Sequence, residues 1–396
     1  MTRRSVEDHA REVAALLEPA LTPRTEAVAV TAALGRVLAA DVWSPLDLPP
    51  FRNSQMDGFA VAAETVRTVP VTLPVSTTVA AGSAGPDRLE PGTAVRIMTG
   101  APLPDGADAV VPVEDTSPGD GADAVTVHRG RVSGEFVRDR GDDVHAGDLL
   151  LAAGARLTAR HLSMFAAVGM SELPVRRRPR VAVLTTGTEL VAAGNPLRPG
   201  QIYESNGIAL AASCESNSAE VVLLDRSPDD SDRFRELLRR ATAAADVVLT
   251  SGGVSMGDFE VVREVLTPLG GWFGHVGMQP GGPQGLTVVD GVPVLSFPGN
   301  PVSTLVSFEV FARPLLRRAA GLAPVAADSV TLLGPLTSPA GRRQFLRGRL
   351  VDGGVRLESG PGSHLIAALA RADVLIDVPE DVTTMEAGEN VQVWPL

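Results

Sequence analysis

The stretch DVVLTSGGVSMGDFE, Asp246 to Glu260, decides the fold of this chain. Val247 to Leu249 form a short apolar run, which is typical of a parallel strand buried on both faces. Gly252 and Gly253 follow shortly after, and glycine lets the backbone turn with a positive φ. The sequence therefore predicts a buried strand that leads into a tight, glycine-rich turn.

The same turn carries the residue types of an anion site. Its backbone N–H groups are free to point outward, and Ser251 and Ser255 add hydroxyl donors. Asp258 and Glu260 open the next helix, where their carboxylates can hold a cation against a phosphate. The alternative interpretation is a strand-to-helix turn with an ordinary N-cap.

Two loops of similar composition follow other strands of the surrounding α/β alternation. TTGTEL follows the predicted strand 181–184, and FPGNPVS follows the predicted strand 294–296. Loops at the carboxyl ends of parallel strands meet at one edge of a sheet, where ligands bind. A structural turn explains one such loop, whereas three on one edge favour an anion-binding crevice. TTGTEL offers hydroxyls at Thr185, Thr186 and Thr188, with Gly187 for close backbone approach and Glu189 as a carboxylate. In FPGNPVS, Pro298 and Pro301 fix φ, Gly299 permits a tight turn, and Asn300 can cap a helix predicted to run to about Ala319.

Composition excludes several classes of protein. A length of 396 residues predicts about two to four domains, and 44% hydrophobic residues suffice to bury their cores. The net charge of −12 opposes nonspecific binding to nucleic acid or to an anionic membrane. No apolar run approaches the ~18 residues of a membrane span. The single cysteine, Cys214, is predicted in a helix core and suits a reducing compartment, so we expect a cytoplasmic protein.

Changes of pattern along the chain predict four parts, and hence a multidomain α/β plus β fold. Residues 5–40 carry apolar residues at helical spacing and predict two helices. Short β-rich runs between Pro and Gly predict an inserted β domain at 46–140, within a discontinuous helical and mixed domain at 1–45 and 141–176. The region 177–322 predicts a central three-layer α/β domain with a mostly parallel sheet. The β-rich region 323–396 predicts a C-terminal β-barrel-like domain.

The order of the motifs adds a resemblance to a known family. Along the chain come NSQMDGFA, MTGAPLPDGADAVV, RDRGDDVHAG, TTGTEL, QIYESN, SGGVSMGD and SFPGNPVS. In this order and at these spacings they resemble the molybdopterin molybdotransferase family, the MoeA proteins and the gephyrin E domain. The resemblance covers nearly the whole chain and implies that the α/β region is a molybdopterin-binding domain.

The resemblance implies an enzyme of cofactor assembly. Family members hydrolyse adenylylated molybdopterin in the presence of molybdate, a substrate, and a divalent cation such as Mg²⁺; they release AMP and leave molybdenum on the dithiolene. It also implies a homodimer, whose crevice lies between the α/β domain of one subunit and the β insertion of the other. A contact with the adenylyltransferase of the same pathway is expected as well.

Roles follow for the residues that match the family's motifs. The catalytic residues implied are Asp57, Thr99, Asp143 and Glu189. The substrate- and nucleotide-binding residues implied are Thr186, Gly187, Asn206, Ser251, Gly252, Gly253, Ser255, Pro298, Asn300 and Pro301. Arg347 and Ser363 match the oxyanion-binding positions for molybdate, and the metal ligands implied are Asp57, Glu189, Asp229, Asp258 and Glu260.

Physical arguments support these roles and leave alternatives for two of them. Close carboxylates repel by about 1 kcal/mol per pair even in water, so such a cluster requires a cation such as Mg²⁺. A planar guanidinium such as that of Arg347 grips a tetrahedral oxyanion through two parallel N–H bonds. The alternatives are that Arg347 is a solvent-facing arginine on a strand and that Asp229 is an N-cap.

The chain also departs from the family pattern. Gln279 and Gly282 stand where many members have lysines, His275 where a basic residue is frequent, and Glu260 where aspartate is typical. Two missing ammonium groups weaken oxyanion capture by roughly 1 kcal/mol each where they are half-buried. One alternative function is therefore a paralogue or scaffold that binds molybdopterin or a nucleotide without inserting metal. A second is a nucleotide pyrophosphatase or amidase related to the CinA-like proteins.

Overall fold

The structure, a computed structural model, describes residues 3–121, 123–255 and 260–396. The chain divides into two compact units, one formed by Ala27–Pro174 and the other by Met1–Glu26 together with Val175–Leu396. Each unit has hydrophobic cores of its own. The finer division into four parts stays a prediction. Within the described residues, no helix has the length and apolar character needed to cross a membrane.

The first helix, α1 (Val6–Ala20), confirms one of the two helices predicted near the start of the chain. Ser5 caps it, since its hydroxyl accepts a hydrogen bond from the N–H of Asp8 at 3.0 Å. The apolar stripe predicted from the helical spacing is buried and includes Val13 and Leu17.

The second predicted helix is wrong. Thr25–Ala29 forms strand β1, and Val30–Ala32 forms one turn of 3₁₀-helix. The residues of β1 are alternately exposed and half-buried, and the strand pairs with Glu172–Arg176. A period of two with strand pairing therefore overrides the helical spacing of the alanines and valines here.

The unit Ala27–Pro174 is built mainly from short strands, and it contains the region 46–140 that the sequence predicted to be β-rich. Its largest sheet has the order β7-β4-β6-β5-β9-β8, in which β5 and β6 are parallel and the other neighbours antiparallel. Ala60 and Val61 are consecutive residues that pack into two separate apolar clusters, so this sheet is buried on both faces. Two further 3₁₀-helices are Ala63–Val66 and Val113–Asp115. The remaining elements of this part of the chain are β2 (Val42–Trp43), β3 (Asn53–Ser54), β4 (Gly58–Val61), β5 (Val71–Val79), β6 (Ala94–Ile97), β7 (Ala109–Pro112), β8 (Thr116–Pro118), β9 (Ala124–Val127), β10 (Val137–Arg138), β11 (Leu149–Leu151), α2 (Ala159–Ala167) and β12 (Glu172–Arg176).

The other unit contains the predicted three-layer α/β domain. Its six-stranded sheet has the order β16-β13-β17-β21-β20-β18. The first four strands are parallel, β20 is antiparallel to β21, and β18 is antiparallel to β20, so only β20 runs against the others and the sheet is mostly parallel as predicted. The elements are β13 (Arg180–Thr186), β14 (Leu190–Val191), β15 (Ile202–Tyr203), α3 (Asn206–Ser216), β16 (Glu220–Ser227), α4 (Ser231–Ala244), β17 (Val247–Ser251), α5 (Val261–Leu266), β18 (Trp272–His275), β19 (Met278–Gln279), β20 (Pro283–Val289), β21 (Val292–Phe297), α6 (Pro301–Ser307) and α7 (Arg313–Ala319).

Helices cover both faces of this sheet. Ala182 and Val183, neighbours in β13, belong to different apolar clusters, one with α4 and α5 and the other with α3, α6 and α7. A π-helix, Phe308–Ala312, joins α6 to α7, so the helix predicted to run from the FPGNPVS loop to about Ala319 is continuous in extent. The 3₁₀-helix Thr267–Leu269 follows α5. Cys214 is fully buried in α3, as predicted, and burial raises the pKa of its thiol to about 12.

A β-rich region ends the same unit. Its largest sheet has the order β19-β24-β26-β28-β22, with β25 paired to β24. The short strand β19, which comes from the α/β region, forms one edge of this sheet by pairing in parallel with β24. The elements are β22 (Asp328–Thr331), β23 (Leu336–Thr337), β24 (Arg343–Val351), β25 (Gly354–Leu357), α8 (Ile366–Arg371), β26 (Val374–Val378), β27 (Thr384–Met385) and β28 (Asn390–Pro395).

Candidate active site

The candidate site lies at the carboxyl edge of the parallel sheet. Thr185 of β13 is in register with Ser251 of β17, and Ser251 is in register with Phe297 of β21, so the three strands end together. A cavity of about 550 Å³ opens there, lined by the loops that follow these strands. We call it the narrow cavity.

All the residues predicted to bind substrate or nucleotide line the narrow cavity. They are Thr186, Gly187, Asn206, Ser251, Gly252, Gly253, Ser255, Pro298, Asn300 and Pro301. Three of the predicted metal ligands, Glu189, Asp229 and Glu260, line it as well. Asp258 lies outside the described residues. The structure thus brings together the three loops that the sequence placed on one edge, while the role of each residue stays a prediction.

Glycines allow these loops to pack against one another. Gly252 and Gly253 have φ values of 95° and 66°, in the region where a side chain is strained, as predicted for this turn. A Cβ atom on Gly252 would lie 2.7 Å from the backbone oxygen of Thr186, which is too close for a real contact. On its other side Gly252 faces Gly299, whose added Cβ would lie 3.4 Å from the Gly252 Cα. The glycine turn is therefore packed between the other two loops.

Ser251 ties the loops together through its side chain. It is 2% exposed, and its hydroxyl accepts a hydrogen bond from Asn206 Nδ2 at 3.0 Å. The same hydroxyl lies 3.0 Å from the Thr304 hydroxyl, and Asn206 Nδ2 also donates to the Gly299 carbonyl at 2.8 Å. The Ser251 hydroxyl, predicted as an anion donor, is thus engaged within the protein.

Asp229 fastens the TTGTEL loop rather than capping a helix. Its carboxylate accepts hydrogen bonds from the N–H and the hydroxyl of Thr188, both at 3.0 Å. The N-cap of α4 is the next residue, Asp230, whose carboxylate accepts from the N–H of Arg233 at 2.7 Å. The alternative interpretation of Asp229 as the N-cap is therefore wrong.

The carboxylates that the structure describes in the narrow cavity do not form a closed metal site. Among the described residues, no three His, Cys, Asp or Glu side chains form a group that could hold a metal ion by themselves. Glu189 is exposed, and none of the described residues forms a hydrogen bond or ion pair with its carboxylate. Its carboxylate lies over Gly187, where an added Cβ would approach it to 2.6 Å. Such carboxylates are available for one or two bonds to a cation that a ligand also holds.

Asp57, Thr99 and Asp143 lie in the unit Ala27–Pro174. Asp57 Oδ1 accepts hydrogen bonds from the N–H of Thr99 at 2.6 Å and from its hydroxyl at 2.8 Å. These bonds, the backbone one first, hold the pKa of Asp57 below its ordinary value. The side chain of Asp143 is exposed, and its backbone N–H donates to the Leu48 carbonyl at 2.9 Å. The structure thus joins Asp57 to Thr99 directly and holds Asp143 on the segment that pairs with Leu48.

Arg347 and Ser363, the predicted molybdate ligands, differ in exposure. Arg347 is 0% exposed, so its interpretation as a solvent-facing arginine is wrong. One guanidinium nitrogen donates to the Ser359 hydroxyl at 3.0 Å and to the carbonyls of Gly360 and Gly362. Its other two nitrogens have no hydrogen-bond partner among the described residues, and burial lowers its pKa. Arg347 therefore supports the loop that carries Ser363.

Ser363 lines a second, larger cavity of about 1140 Å³, which we call the wide cavity. Pro283, Asn300 and Ser303 line both cavities, so the two adjoin. The loop Gln279–Gly282, where the sequence departs from the family pattern, forms part of the wall of the wide cavity.

Sequence reasoning missed several residues that hold the site in place. Thr304 is fully buried, and its hydroxyl donates to the Pro298 carbonyl at 2.6 Å. Glu204 lies just before Ser205, the N-cap residue of α3, and its carboxylate accepts from the N–H of Gly207 in the first turn at 2.6 Å. The signal for Thr304 was its position four residues after Asn300, where a helical hydroxyl reaches back to a backbone carbonyl. Asn300 is the N-cap residue of α6, as predicted, but its side chain makes no capping bond.

The fold and the site define a class: a multidomain α/β and β protein whose parallel sheet carries, at its carboxyl edge, a cavity lined by glycine-rich loops and carboxylates. A family model for the "MoeA N-terminal region (domain I and II)" matches residues 4–169. A model for the "Probable molybdopterin binding domain" matches residues 182–318, and one for the "MoeA C-terminal region (domain IV)" matches residues 329–396.

Relatives along the full chain agree with these models. The molybdopterin molybdenumtransferase 2 of Mycobacterium tuberculosis is 46% identical over 408 residues, which cover 99% of this chain and 100% of that protein. The molybdopterin molybdenumtransferase of a Nostoc species is 38% identical, over 94% of this chain and 89% of its own. A crystal structure of the molybdopterin biosynthesis MoeA protein from Pyrococcus horikoshii matches with a TM-score of 0.80 at 33% identity, covering 100% of this chain and 99% of that one.

The chain belongs to the molybdopterin molybdenumtransferase (MoeA) family and is a transferase enzyme of molybdenum cofactor biosynthesis. The predicted family, fold class and enzyme class are confirmed.

Proposed function

We propose that this enzyme hydrolyses adenylylated molybdopterin and inserts molybdate, giving molybdenum cofactor and AMP. The observation that carries the proposal is the narrow cavity: glycine-rich turns meet the open carboxylate of Glu189 and the carboxylates of Asp229 and Glu260 at the edge of a parallel sheet. N–H groups at such an edge bind phosphate oxygens. A diphosphate with a bound cation requires both kinds of group: N–H donors for its oxygens and carboxylates for the cation.

The donor set fits Mg²⁺. Mg²⁺ keeps several waters and is bound through one or two carboxylates together with substrate phosphates, which matches open carboxylates better than a closed cage. Glu189 and Glu260 would hold it in the narrow cavity, and Asp229 adds a carboxylate already bonded to Thr188. When bound, the ion neutralises negative charge on the phosphates that separate.

The protein's own residues bind and orient the substrate. The N–H of Gly252 donates to the Phe297 carbonyl at 3.1 Å, so the phosphates are proposed to bind the N–H groups of the turn from Gly253 onward. Asn206 and Ser251 fix the distance between the loops. Hydrogen bonds from Thr99 lower the pKa of Asp57, so its carboxylate is ionised and suited to orient an attacking water by accepting a hydrogen bond, rather than to act as a strong base. Ser363 is the proposed molybdate ligand, and Arg347, which is fully buried and lines neither cavity, is proposed to act by positioning the loop of Ser363.

The same proposal includes a homodimer in the cytoplasm, a contact with the adenylyltransferase that supplies the substrate, and the division into four domains. Trp43 and Phe51 are 54% and 46% exposed, as anchors of a dimer interface require. Phe59, a third aromatic residue of this region, is half-buried and packs against an apolar cluster of its own unit, so it is not proposed as an anchor. Light scattering on the wild type and on Trp43→Ser tests the dimer.

The test of function is a turnover assay with adenylylated molybdopterin, Mg²⁺ and molybdate on the purified protein. We expect AMP release that depends on molybdate and on Glu189, so that Glu189→Gln reduces it at least tenfold. Release of AMP without transfer of molybdenum would favour the non-inserting paralogue, an alternative motivated by Gln279 and Gly282. Hydrolysis of ordinary dinucleotides at a higher rate would favour a pyrophosphatase or amidase.

A further inference from the structure

The two adjoining cavities have linings of opposite charge. The charged residues that line the narrow cavity are Glu189, Glu204, Asp229 and Glu260, all acidic. The ionisable residues that line the wide cavity are Arg3, His275, Arg342 and His364, all basic. A basic wall stands out in a chain whose net charge is −12. Because the cavities share Asn300 and Ser303 as lining residues, the change of sign occurs between two adjoining cavities.

We propose that the wide cavity binds an oxyanion through Arg342, with Arg3 as a second guanidinium, and that these arginines take the place of lysines in the loop Gln279–Gly282. The ligand class is a tetrahedral oxyanion or a phosphate ester. The inference deepens the proposed function, on which it rests, by assigning the cations that capture the anionic substrate.

Arg342 is free to bind a ligand. It is exposed, and none of the described residues forms a hydrogen bond or ion pair with it. Its neighbour Arg343 is instead committed to the protein, since it donates to both carboxylate oxygens of Asp377 and to Glu7. Two consecutive arginines thus have different roles, one structural and one directed to the cavity.

Arg3 lies at the same wall. One of its guanidinium nitrogens donates to the carbonyl of Gly341, the residue before Arg342, at 3.1 Å. A guanidinium has five N–H donors, so this bond leaves others for an anion. The backbone around Gly341 therefore brings two guanidiniums to one part of the lining.

The loop itself supplies no charge. The Gln279 side chain is engaged, because its oxygen accepts a hydrogen bond from Gln344 Nε2 at 2.9 Å. Gly281 has a φ of 102°, which a side chain would strain. Gly282 is different: an added Cβ would meet only ordinary contacts, the nearest being His275 Nδ1 at 3.4 Å. A lysine can be placed at Gly282 without moving the backbone, which gives a direct way to restore charge.

The experiment measures the affinity of molybdate, and separately of inorganic phosphate, by calorimetry at two salt concentrations. We expect Arg342→Gln to weaken binding about tenfold or more, since a hydrogen bond to a charged group contributes about 1.5–3 kcal/mol. Arg3→Gln should weaken it less, because that side chain is also bonded to Gly341. The matched control is Arg356→Gln, which removes an exposed arginine that lines neither cavity.

The double variant Arg342→Gln/Gly282→Lys should recover most of the lost affinity. If Arg342→Gln binds both anions as the wild type does, or if the lysine at position 282 recovers nothing, the assignment is overturned. AMP release from adenylylated molybdopterin is assayed on the same samples. Anion binding that depends on Arg342 in a protein that releases no AMP would overturn the proposed function and leave this inference standing, whereas AMP release with binding independent of Arg342 would do the reverse.

Discussion

Gly252→Ala tests whether the packed glycine turn creates the narrow cavity. The residue has a φ of 95°, and a side chain in this region costs roughly 1–2 kcal/mol. The new Cβ would also lie 2.7 Å from the Thr186 backbone oxygen, so the two loops must move apart by about 0.7 Å to reach an ordinary contact of 3.4 Å. A shift of that size exceeds the displacement of about 0.5 Å that a binding site tolerates. We expect a loss of about 2 kcal/mol or more in the free energy of unfolding and at least a tenfold loss of AMP affinity.

Alanine variants of two other glycines distinguish the effect of backbone strain from the effect of moving the loops apart. Gly270 has a φ of 85°, and an added Cβ there would meet nothing within 4 Å, so Gly270→Ala carries the backbone strain alone. Gly299 lines the cavity, and its added Cβ would make only a 3.4 Å contact. Urea unfolding and calorimetry with AMP are measured on all three variants. We expect Gly270→Ala to lose about 1 kcal/mol of stability and no affinity, and Gly299→Ala to retain both. If Gly252→Ala binds AMP as tightly as Gly299→Ala does, loop packing does not control the site.

Three further predictions concern ionisation and metal. Burial, and then the charge of Arg4, lowers the pKa of His9 to about 3. As the pH falls below 6.5, the unfolded state therefore binds a proton at His9 that the folded state does not bind. Between pH 7.5 and 5, the free energy of unfolding of the wild type should therefore fall by about 2 kcal/mol more than that of His9→Phe, as measured by urea unfolding. The control is His128→Gln, which changes an exposed histidine and should behave like the wild type. Thr99→Val removes the hydroxyl that donates to Asp57, so the pKa of that carboxyl should rise. The acid limb of the pH–rate profile for AMP release should then move to higher pH. An unmoved limb would exclude Asp57 as the group that titrates there. Chelation with EDTA should stop AMP release, and added Mg²⁺ should restore it; full activity in EDTA would exclude the cation.

The sequence predicted the location of the site better than its internal contacts. Because parallel strands end at one edge, the order of strands and loops alone brought Thr186, Gly252 and Asn300 together, and the structure has all three in one cavity. The positive φ of Gly252 followed from its place after a buried strand. Local sequence could not show that the Ser251 hydroxyl bonds to Asn206, 45 residues away, because such a bond depends on how the loops pack.

Predictions failed where tertiary context outweighed a local pattern. The segment Thr25–Ala29 has apolar spacing that suits a helix, yet strand pairing with Glu172–Arg176 decides its conformation. Arg347 looked like one of several arginines on a strand, but the chain folds a glycine-rich loop over it and buries it completely. Arg3 and Arg342 meet one cavity from positions more than 300 residues apart, a proximity that no motif encodes.

The opposite charges of the two cavities bear on how a substrate is oriented. Carboxylates in the narrow cavity repel a bare diphosphate and accept it only together with a cation, whereas guanidiniums in the wide cavity attract an oxyanion directly. A ligand that carries a metal-bound diphosphate at one end and needs an oxyanion at the other is therefore favoured in one direction only. In the reverse direction the diphosphate would leave its cation and face Arg342, while the oxyanion would face Glu189 and Glu260. On the proposed function, this polarity places the bond to be hydrolysed beside the acidic loops and the incoming molybdate beside the basic wall.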